Sequence, residues 1–500
     1  MNAIVIYIVQ SIVERAGVGD FSATTIKRSN AERIDTMLLR KSRNFTAIVG
    51  ALFLCSGLLA RHAHAVPAYA RQTGQACIAC HVSFPELTPY GRNFKLSGYT
   101  IGTRQTVPLA VMAQVGVTRV NNNKDDQGNE IVPKTDKIEL SAASLFLAGK
   151  VNDNIGGFVQ WTYSNINVNN DGKIVGHSGI DNTDLRLVGR IENEDKTDLK
   201  WLYGVTLHNN PTIQDVWNTT PAFGFPFTGP PNGIGPTAAT TIDGGLAQQV
   251  AGIGAYVYWD RTLYAEVSGY RTADGIFSAL RAGQDTHSPG GVARLKGTNP
   301  YWRLAYNREW GPNSLMLGTY GVIVDRYPDN TLPGTPTDRF TDVAVDAQYQ
   351  YITDPNTFTL QATHIRERQD YRASFPATQA GNPIGAGPTP DNPSDRLRTT
   401  KIKGSYYYER IYGATIAHFA TSGGMDAGLY PSGSVGGSAN GSPNSSGYIF
   451  ELDYTPIQNL RLMLQYYDFA KFNGGNGNYD GSGRRAHDNN MLFLNAWLVL

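Results

Sequence analysis

From Val107 to Leu500 the chain runs as short segments in which one parity is apolar and the other polar or small. Leu199, Trp201, Tyr203, Val205 and Leu207 share one parity; Lys200, Gly204, Thr206 and His208 share the other. Val343, Val345, Ala347, Tyr349 and Tyr351 alternate in the same way with Ala344, Asp346, Gln348 and Gln350. So do Ile402, Gly404, Tyr406 and Tyr408 with Lys401, Lys403, Ser405, Tyr407 and Glu409. The rhythm returns at Tyr448–Tyr454 and Leu460–Tyr466, and the last segment sets Leu492, Leu494, Ala496, Leu498 and Leu500 on one face. A period of two marks a strand whose faces meet different surroundings. The segments number about sixteen, an even count that lets an antiparallel sheet close on itself.

The connections alternate in length. Short turns are predicted at 151–155, 193–197, 260–261, 311–313, 353–356, 411 and 456–459. Long polar loops are predicted at Asn121–Asp136, Ile166–Asn182, Asn209–Gln248, Thr272–Asn299, Arg326–Asp338, Asp370–Asp395, Thr421–Ser445 and Phe472–Asn489. In outer-membrane barrels the short turns are periplasmic and the long loops external. The first strand, Val107–Val120, then begins on the periplasmic side. Phe223–Thr241 and Gly433–Ser446, rich in Gly, Pro, Asn and Ser, read as mobile external loops.

Composition narrows the surroundings of that sheet. Only 17% of residues are charged, against about 25% in soluble domains. Tyrosines number 27 and glycines 54, and the mean hydropathy of -0.30 excludes a bundle of membrane-spanning helices. Aromatic residues on the apolar parity suit lipid and its interfaces. A net charge of +1 excludes a nucleic-acid partner that requires a basic face. The expected fold is therefore all-β: a transmembrane antiparallel barrel of outer-membrane type over 107–500.

An export signal precedes it. Arg40, Lys41 and Arg43 follow Met37, Phe45–Ala60 is apolar, and Ala63-His64-Ala65 is an A-x-A cleavage site. The run is short for a membrane anchor. Residues 37–65 thus read as a signal peptide, with a mature chain from Val66. The preceding 1–36 are an unassigned extension consistent with a misassigned start. Cys55 falls within the signal, and Leu54 before it makes a poor lipidation site.

The remaining cysteines are Cys77 and Cys80, and His81 follows directly. C-x-x-C-H is the attachment signal of c-type haem: two thiols a turn apart add to the haem vinyl groups, and the histidine becomes the proximal ligand. A redox dithiol would need a thioredoxin-like βαβ context, and a zinc site a second ligand pair. Neither is visible, so the motif predicts one covalent haem c with His81 on the metal.

Around the motif stand Ala70-Arg71-Gln72-Thr73-Gly74 and, after it, Pro85-Glu86-Leu87-Thr88-Pro89-Tyr90-Gly91-Arg92-Asn93-Phe94-Lys95. Over Pro67 to Tyr99 this resembles the N-terminal signature of the fused outer-membrane monohaem cytochrome c–porins of iron-oxidising bacteria. The resemblance implies a haem segment joined to a barrel, and electron transfer from extracellular Fe(II) across the outer membrane to a periplasmic electron-accepting cytochrome. The signature is also shared by relatives with no established donor, so another reductant stays open.

Segment 66–106 contains one histidine and no methionine. A second axial ligand has to come from Lys95, the new N-terminus or the barrel, where Met112, His208 and Met463 are candidates, or be absent. Arg71, Arg92 and Lys95 are candidates to bind the haem propionates. The alternative is that they pair with lumen acids such as Glu266, Asp346, Glu451 and Asp453. So short a segment does not bury a haem unaided, which predicts a plug in the barrel lumen, entered from the periplasmic side. Three functions follow: an electron conduit acting as a one-electron oxidoreductase, a diffusion porin with a structural haem, and a haem peroxidase or sensor.

Overall fold

The computed structural model describes residues 67–132, 135–168, 174–193, 199–231, 233–282, 293–385 and 387–500. The extension 1–36, the signal peptide 37–65 with Cys55, and Val66 lie outside the described residues.

Sixteen antiparallel strands close into one barrel. They are β1 (Leu109–Val120), β2 (Ile138–Lys150), β3 (Ile155–Val168), β4 (Ile174–Glu192), β5 (Leu199–His208), β6 (Val250–Trp259), β7 (Leu263–Thr272) and β8 (Asn299–Trp310). Then follow β9 (Asn313–Arg326), β10 (Asp338–Ile352), β11 (Asn356–Asp370), β12 (Ser394–Tyr408), β13 (Tyr412–Gly423), β14 (Ser445–Ile457), β15 (Leu460–Lys471) and β16 (Met491–Val499). Each pairs with its sequence neighbour, and β16 closes on β1 through Met491↔Val120 to Val499↔Met112. No edge strand is left to template pairing with another chain.

The two-residue rhythm becomes two surfaces. Val343 and Val345 are 47% and 56% exposed, whereas Ala344 and Asp346, between and beyond them, are 2% and 5% exposed. Leu147, Val205, Val267, Leu304, Leu317 and Ile416 continue the exposed apolar band. Among the described residues no helix is long and apolar enough to cross a membrane. The strands do the crossing: a closed barrel satisfies every backbone group internally, and its apolar outer face requires lipid.

The short turns gather at one end and the long connections at the other. Asp260–Arg261 and Glu409–Arg410 take left-handed backbone at both residues, the geometry that lets a two-residue turn follow the strand twist.

Two loop expectations are corrected. Ile166–Asn182 is mostly strand, because β3 and β4 stay paired out to Val168↔Ile174. An antiparallel hairpin satisfies its own backbone groups, so polar side chains on both faces do not end it. The connection 209–248 is not a mobile external loop throughout. Ile213, Asp215, Trp217, Asn218 and Thr220 are each at most 2% exposed. Gln348 and Gln361, on the buried faces of β10 and β11, donate to the Trp217 carbonyl at 2.6 and 2.8 Å. The Trp217 indole reaches Asn307 on β8 at 3.2 Å.

Candidate functional site

Three short helices order the N-terminal segment: α1 (Ala68–Thr73), α2 (Cys77–Cys80) and α3 (Pro89–Leu96). After α2, His81–Ser83 pairs with Glu86–Leu87. Residues three apart share a helix face, so one turn presents Cys77 and Cys80 together. Both thiols are free. His81 leaves the turn in extended backbone, its N–H returning to the Cys77 carbonyl.

The His81 ring packs edge-on against Phe84 at 5.1 Å between centroids, and its Nδ1 is buried without a hydrogen-bond partner. Burial lowers the His81 pKa to about 4, opposed by backbone groups of Pro85 and Glu86. The ring is therefore neutral at pH 7, the form that ligates a metal. Burial also raises Cys77, and raises Cys80 to about 11 with Cys77 adding to the effect. Both thiols stay protonated at neutral pH, so their alkylation needs activation from outside.

The residues after the motif each have a contact. Thr88 caps α3 by accepting from the Gly91 N–H at 3.2 Å. A Cβ on Gly91 would lie 2.2 Å from the Cys80 carbonyl oxygen, so only glycine lets α3 lie against the cysteine turn. Phe94 packs between Tyr69 and Tyr99, at 4.9 and 5.8 Å. Gln72 donates to the Tyr99 and Ile101 carbonyls at 2.6 and 2.8 Å and accepts from the Lys150 N–H at 2.8 Å.

The structure brings Cys77, Cys80 and His81 together and gives the three basic candidates other contacts. Arg92 is 3% exposed. It donates to Gln348, Gln350, Ser314 and Glu309 at 3.1, 2.5, 2.6 and 3.1 Å. Lys95 donates to the Ile213 and Asp215 carbonyls at 2.6 and 2.8 Å and lies over the Phe223 ring at 4.3 Å. Arg71 lies near the surface and donates to the Leu109 carbonyl. Of the acids considered as alternative partners, Asp346 pairs with Arg303 at 2.7 Å, and Glu451 and Asp453 each pair with Arg461 at 2.8 Å. Glu266 accepts from Tyr264 at 2.8 Å. The acid that Arg92 meets is Glu309, which the sequence reading missed.

The candidate second ligands separate as well. His208 shares a 2.7 Å hydrogen bond with the Tyr270 hydroxyl. Met112 and Met463 cluster with Trp497 and Phe84, and Phe84 is the ring against His81. Beside them is a small pocket lined by Phe84, Glu86, Phe225, Lys403, Arg461 and Met463 among others.

Further anchors fix where the motif lies. The Cys77 N–H donates to Gln458 Oε1 at 3.3 Å, and Arg410 donates to the Ile78 carbonyl. Gln458 and Arg410 belong to the short turns β14–β15 and β12–β13. Lys403 pairs with Glu86 at 3.1 Å, and Arg461 donates to the Phe84 carbonyl. The Tyr69 hydroxyl donates to the Gly157 carbonyl at 3.0 Å, and the Tyr99 hydroxyl to Asp184 at 2.7 Å. None of these partners was legible beforehand. For Lys403, Asp184 and Arg461 the only signal was a polar residue on the inward parity.

Fold and site together define a membrane-spanning antiparallel barrel of outer-membrane type, with an N-terminal segment that presents two free thiols and a histidine. Among the described residues no three His, Cys, Asp or Glu side chains converge as a metal site. No protein-family profile matches the chain, and no curated protein does. Solved structures similar to it include the outer membrane channel DcaP of Acinetobacter baumannii, at 14% identity over 78% of this chain and 96% of that one, with a TM-score of 0.42. The trimer form of OmpT, an outer membrane protein of Vibrio cholerae, matches at 10% identity over 78% and 98%, with a TM-score of 0.40. OmpF of Salmonella typhi, in complex with daunomycin, matches at 11% over 78% and 97%, with a TM-score of 0.38. None of these values is high enough to transfer a property to this chain, whose barrel rests on its own strand register and apolar outer face.

Proposed function

We propose that the protein is an electron conduit of the outer membrane, carrying one covalent haem c in a segment that plugs its barrel. It takes electrons from an external reductant, Fe(II), and delivers them to a periplasmic cytochrome. The observation that carries this reading is the cysteine turn: two unpaired thiols on one helical turn, followed by a neutral histidine whose ring nitrogen is buried and unpartnered. That donor set fits a c-type haem, with Cys77 and Cys80 holding it and His81 on the iron. When bound, the haem supplies a one-electron couple. The chain's own part is to hold, orient and dry the site: Phe84 shields the His81 ring, and α3 packs through Gly91 onto the cysteine turn. Outer-sphere transfer asks for no acid–base pair.

The plug is supported by anchors distributed around the barrel. The segment touches Lys150, Gly157, Asp184, Gln348, Lys403 and Arg461, on β2, β3, β4, β10, β12 and β15. Contacts with buried side chains on so many strands of a closed barrel support a segment lodged in its lumen. The inward connection around Trp217 fills more of the same space, which favours a conduit over an open diffusion porin.

The test is haem reduction in intact cells by Fe(II) supplied outside. The wild type should be reduced, and His81→Ala should not. If external Fe(II) fails to reduce the wild-type haem while a periplasmic reductant succeeds, the conduit reading falls.

A further inference from the structure

Among the described residues, four pairs of neighbouring carboxylates in the barrel can be compared. At two of them an arginine stands between: Arg303 pairs with Asp215 and Asp346 at 3.2 and 2.7 Å, and Arg461 pairs with Glu451 and Asp453 at 2.8 Å each. At the other two no cation does. Asp342 and Glu367 are direct partners across β10 and β11, 0% and 2% exposed, with side chains in hydrogen-bonding reach of each other. Asp395 and Asp426, 8% and 2% exposed, face each other in the same way.

The two pairs form one strip. Gln369 donates to Glu367 at 2.6 Å, and Gln369 is the cross-strand partner of Asp395. Residues two apart on one strand face are about 7 Å apart. Backbone groups position part of each carboxylate. The Ile242 N–H donates to Asp342 at 2.7 Å and the Thr241 N–H to Glu367 at 2.5 Å. Asp426 accepts from the Asp391, Asn392 and Leu429 N–H groups at 2.9 to 3.1 Å. In each pair one buried oxygen, Asp342 Oδ1 and Asp395 Oδ2, accepts from no N–H or O–H group. Arg326 is within Coulombic range of Glu367 but forms no ion pair with it, and Lys401 is engaged by Asp243 at 2.7 Å.

Two buried carboxylates this close cannot both stay ionised without a positive charge between them. We propose that the strip Asp342–Glu367–Asp395–Asp426 binds hard divalent metal cations at the long-loop end of the barrel. All donors are oxygen, a facing pair neutralises a 2+ charge, and each pair keeps one oxygen that no N–H or O–H donor occupies. Two side chains per pair leave the remaining coordination to water, which suits a cation that must move on. The cysteine turn is anchored to the short turns at the opposite end, so a metal donor has to travel into the lumen to reach it. That use as a donor station rests on the conduit reading; the cation binding does not.

The experiment is a titration of the full chain in detergent with Mn²⁺, followed by loss of the free-ion paramagnetic resonance signal. No redox step is involved, so the outcome is independent of the haem. Saturable binding is expected, weakened about tenfold or more in an Asp342→Asn Asp395→Asn variant that keeps the heat-resistant gel mobility of a closed barrel. No saturable binding to the wild type, or equal affinity in the folded variant, overturns the site and leaves the pairs sharing protons. If Mn²⁺ binding is lost in the variant but external Fe(II) still reduces its haem at the wild-type rate, the donor-station role is overturned while the conduit stands.

Discussion

At the short-turn end, Arg461 stands between Glu451 and Asp453, Lys403 meets Glu86, and Arg92 meets Glu309. At the long-loop end, Asp342 faces Glu367 and Asp395 faces Asp426 with no arginine between them. The balanced end is where the N-terminal segment is fastened, and its charges serve attachment: a buried ion pair fixes geometry because breaking it strands a charge. At the long-loop end Lys401 is engaged by Asp243 and Arg339 by Asp325, so the two facing carboxylate pairs keep no ion-pair partner of their own.

The largest effect is expected from the cysteine turn. Replacing Cys77 and Cys80 by alanine should remove covalent haem entirely, read as loss of haem staining on a denaturing gel. Retained covalent haem would break the assignment of the short-turn end. Next comes Arg461→Met, which strands Glu451 and Asp453. It should cost about 3–5 kcal/mol, seen as a lower urea midpoint of the folded barrel.

The third prediction is a pH dependence. Between the ordinary histidine value of 6.5 and the folded value of about 4, the unfolded segment binds a proton on His81 that the docked segment refuses. Docking is therefore complete above pH 6.5 and weakens as the pH falls towards 4. For a ring whose edge is partly exposed the loss amounts to roughly 2 kcal/mol. Proteolysis of the haem-free Cys77→Ala Cys80→Ala chain across that range measures it, and a flat protection profile would remove His81 from the docking contacts. The smallest effect is expected from Asp342→Asn. With metal removed by chelation it should change the stability of the barrel by less than about 1 kcal/mol, because a carboxylate pair without a cation already shares a proton. A urea midpoint that falls as far as for Arg461→Met would show that the two ends do not differ.

The barrel was legible because lipid outside and polar contacts inside impose a period of two, and Val343–Tyr351 or Leu460–Tyr466 display it without interruption. The strand number and the short turns followed from that rhythm. The cysteine turn was legible from three residues at fixed spacing. What the sequence concealed are contacts made across the lumen. Trp217 lies in a stretch whose Asn, Thr and Pro content reads as solvent-exposed, yet its carbonyl is held by Gln348 and Gln361, more than a hundred positions away. Arg92 and Lys95 were taken as candidates for an anionic group because each is a cation near the motif. Their actual acceptors, on β8, β9, β10 and the inward connection, are invisible to any local pattern. Ile166–Asn182 misled for a simpler reason: polar residues outside the apolar band carry no two-faced signature even when their backbones pair.

The seam between β16 and β1 has a consequence for the order of assembly. The N-terminal segment is fastened on both sides of it, to Lys150 and Gly157 on β2 and β3 and to Arg461 on β15. Those three fixings are satisfied together only once the first and last strands stand side by side, so in the order of assembly the seam comes before the full set of contacts. The segment is then a strap across the closure, held by the wall on either side of the joint.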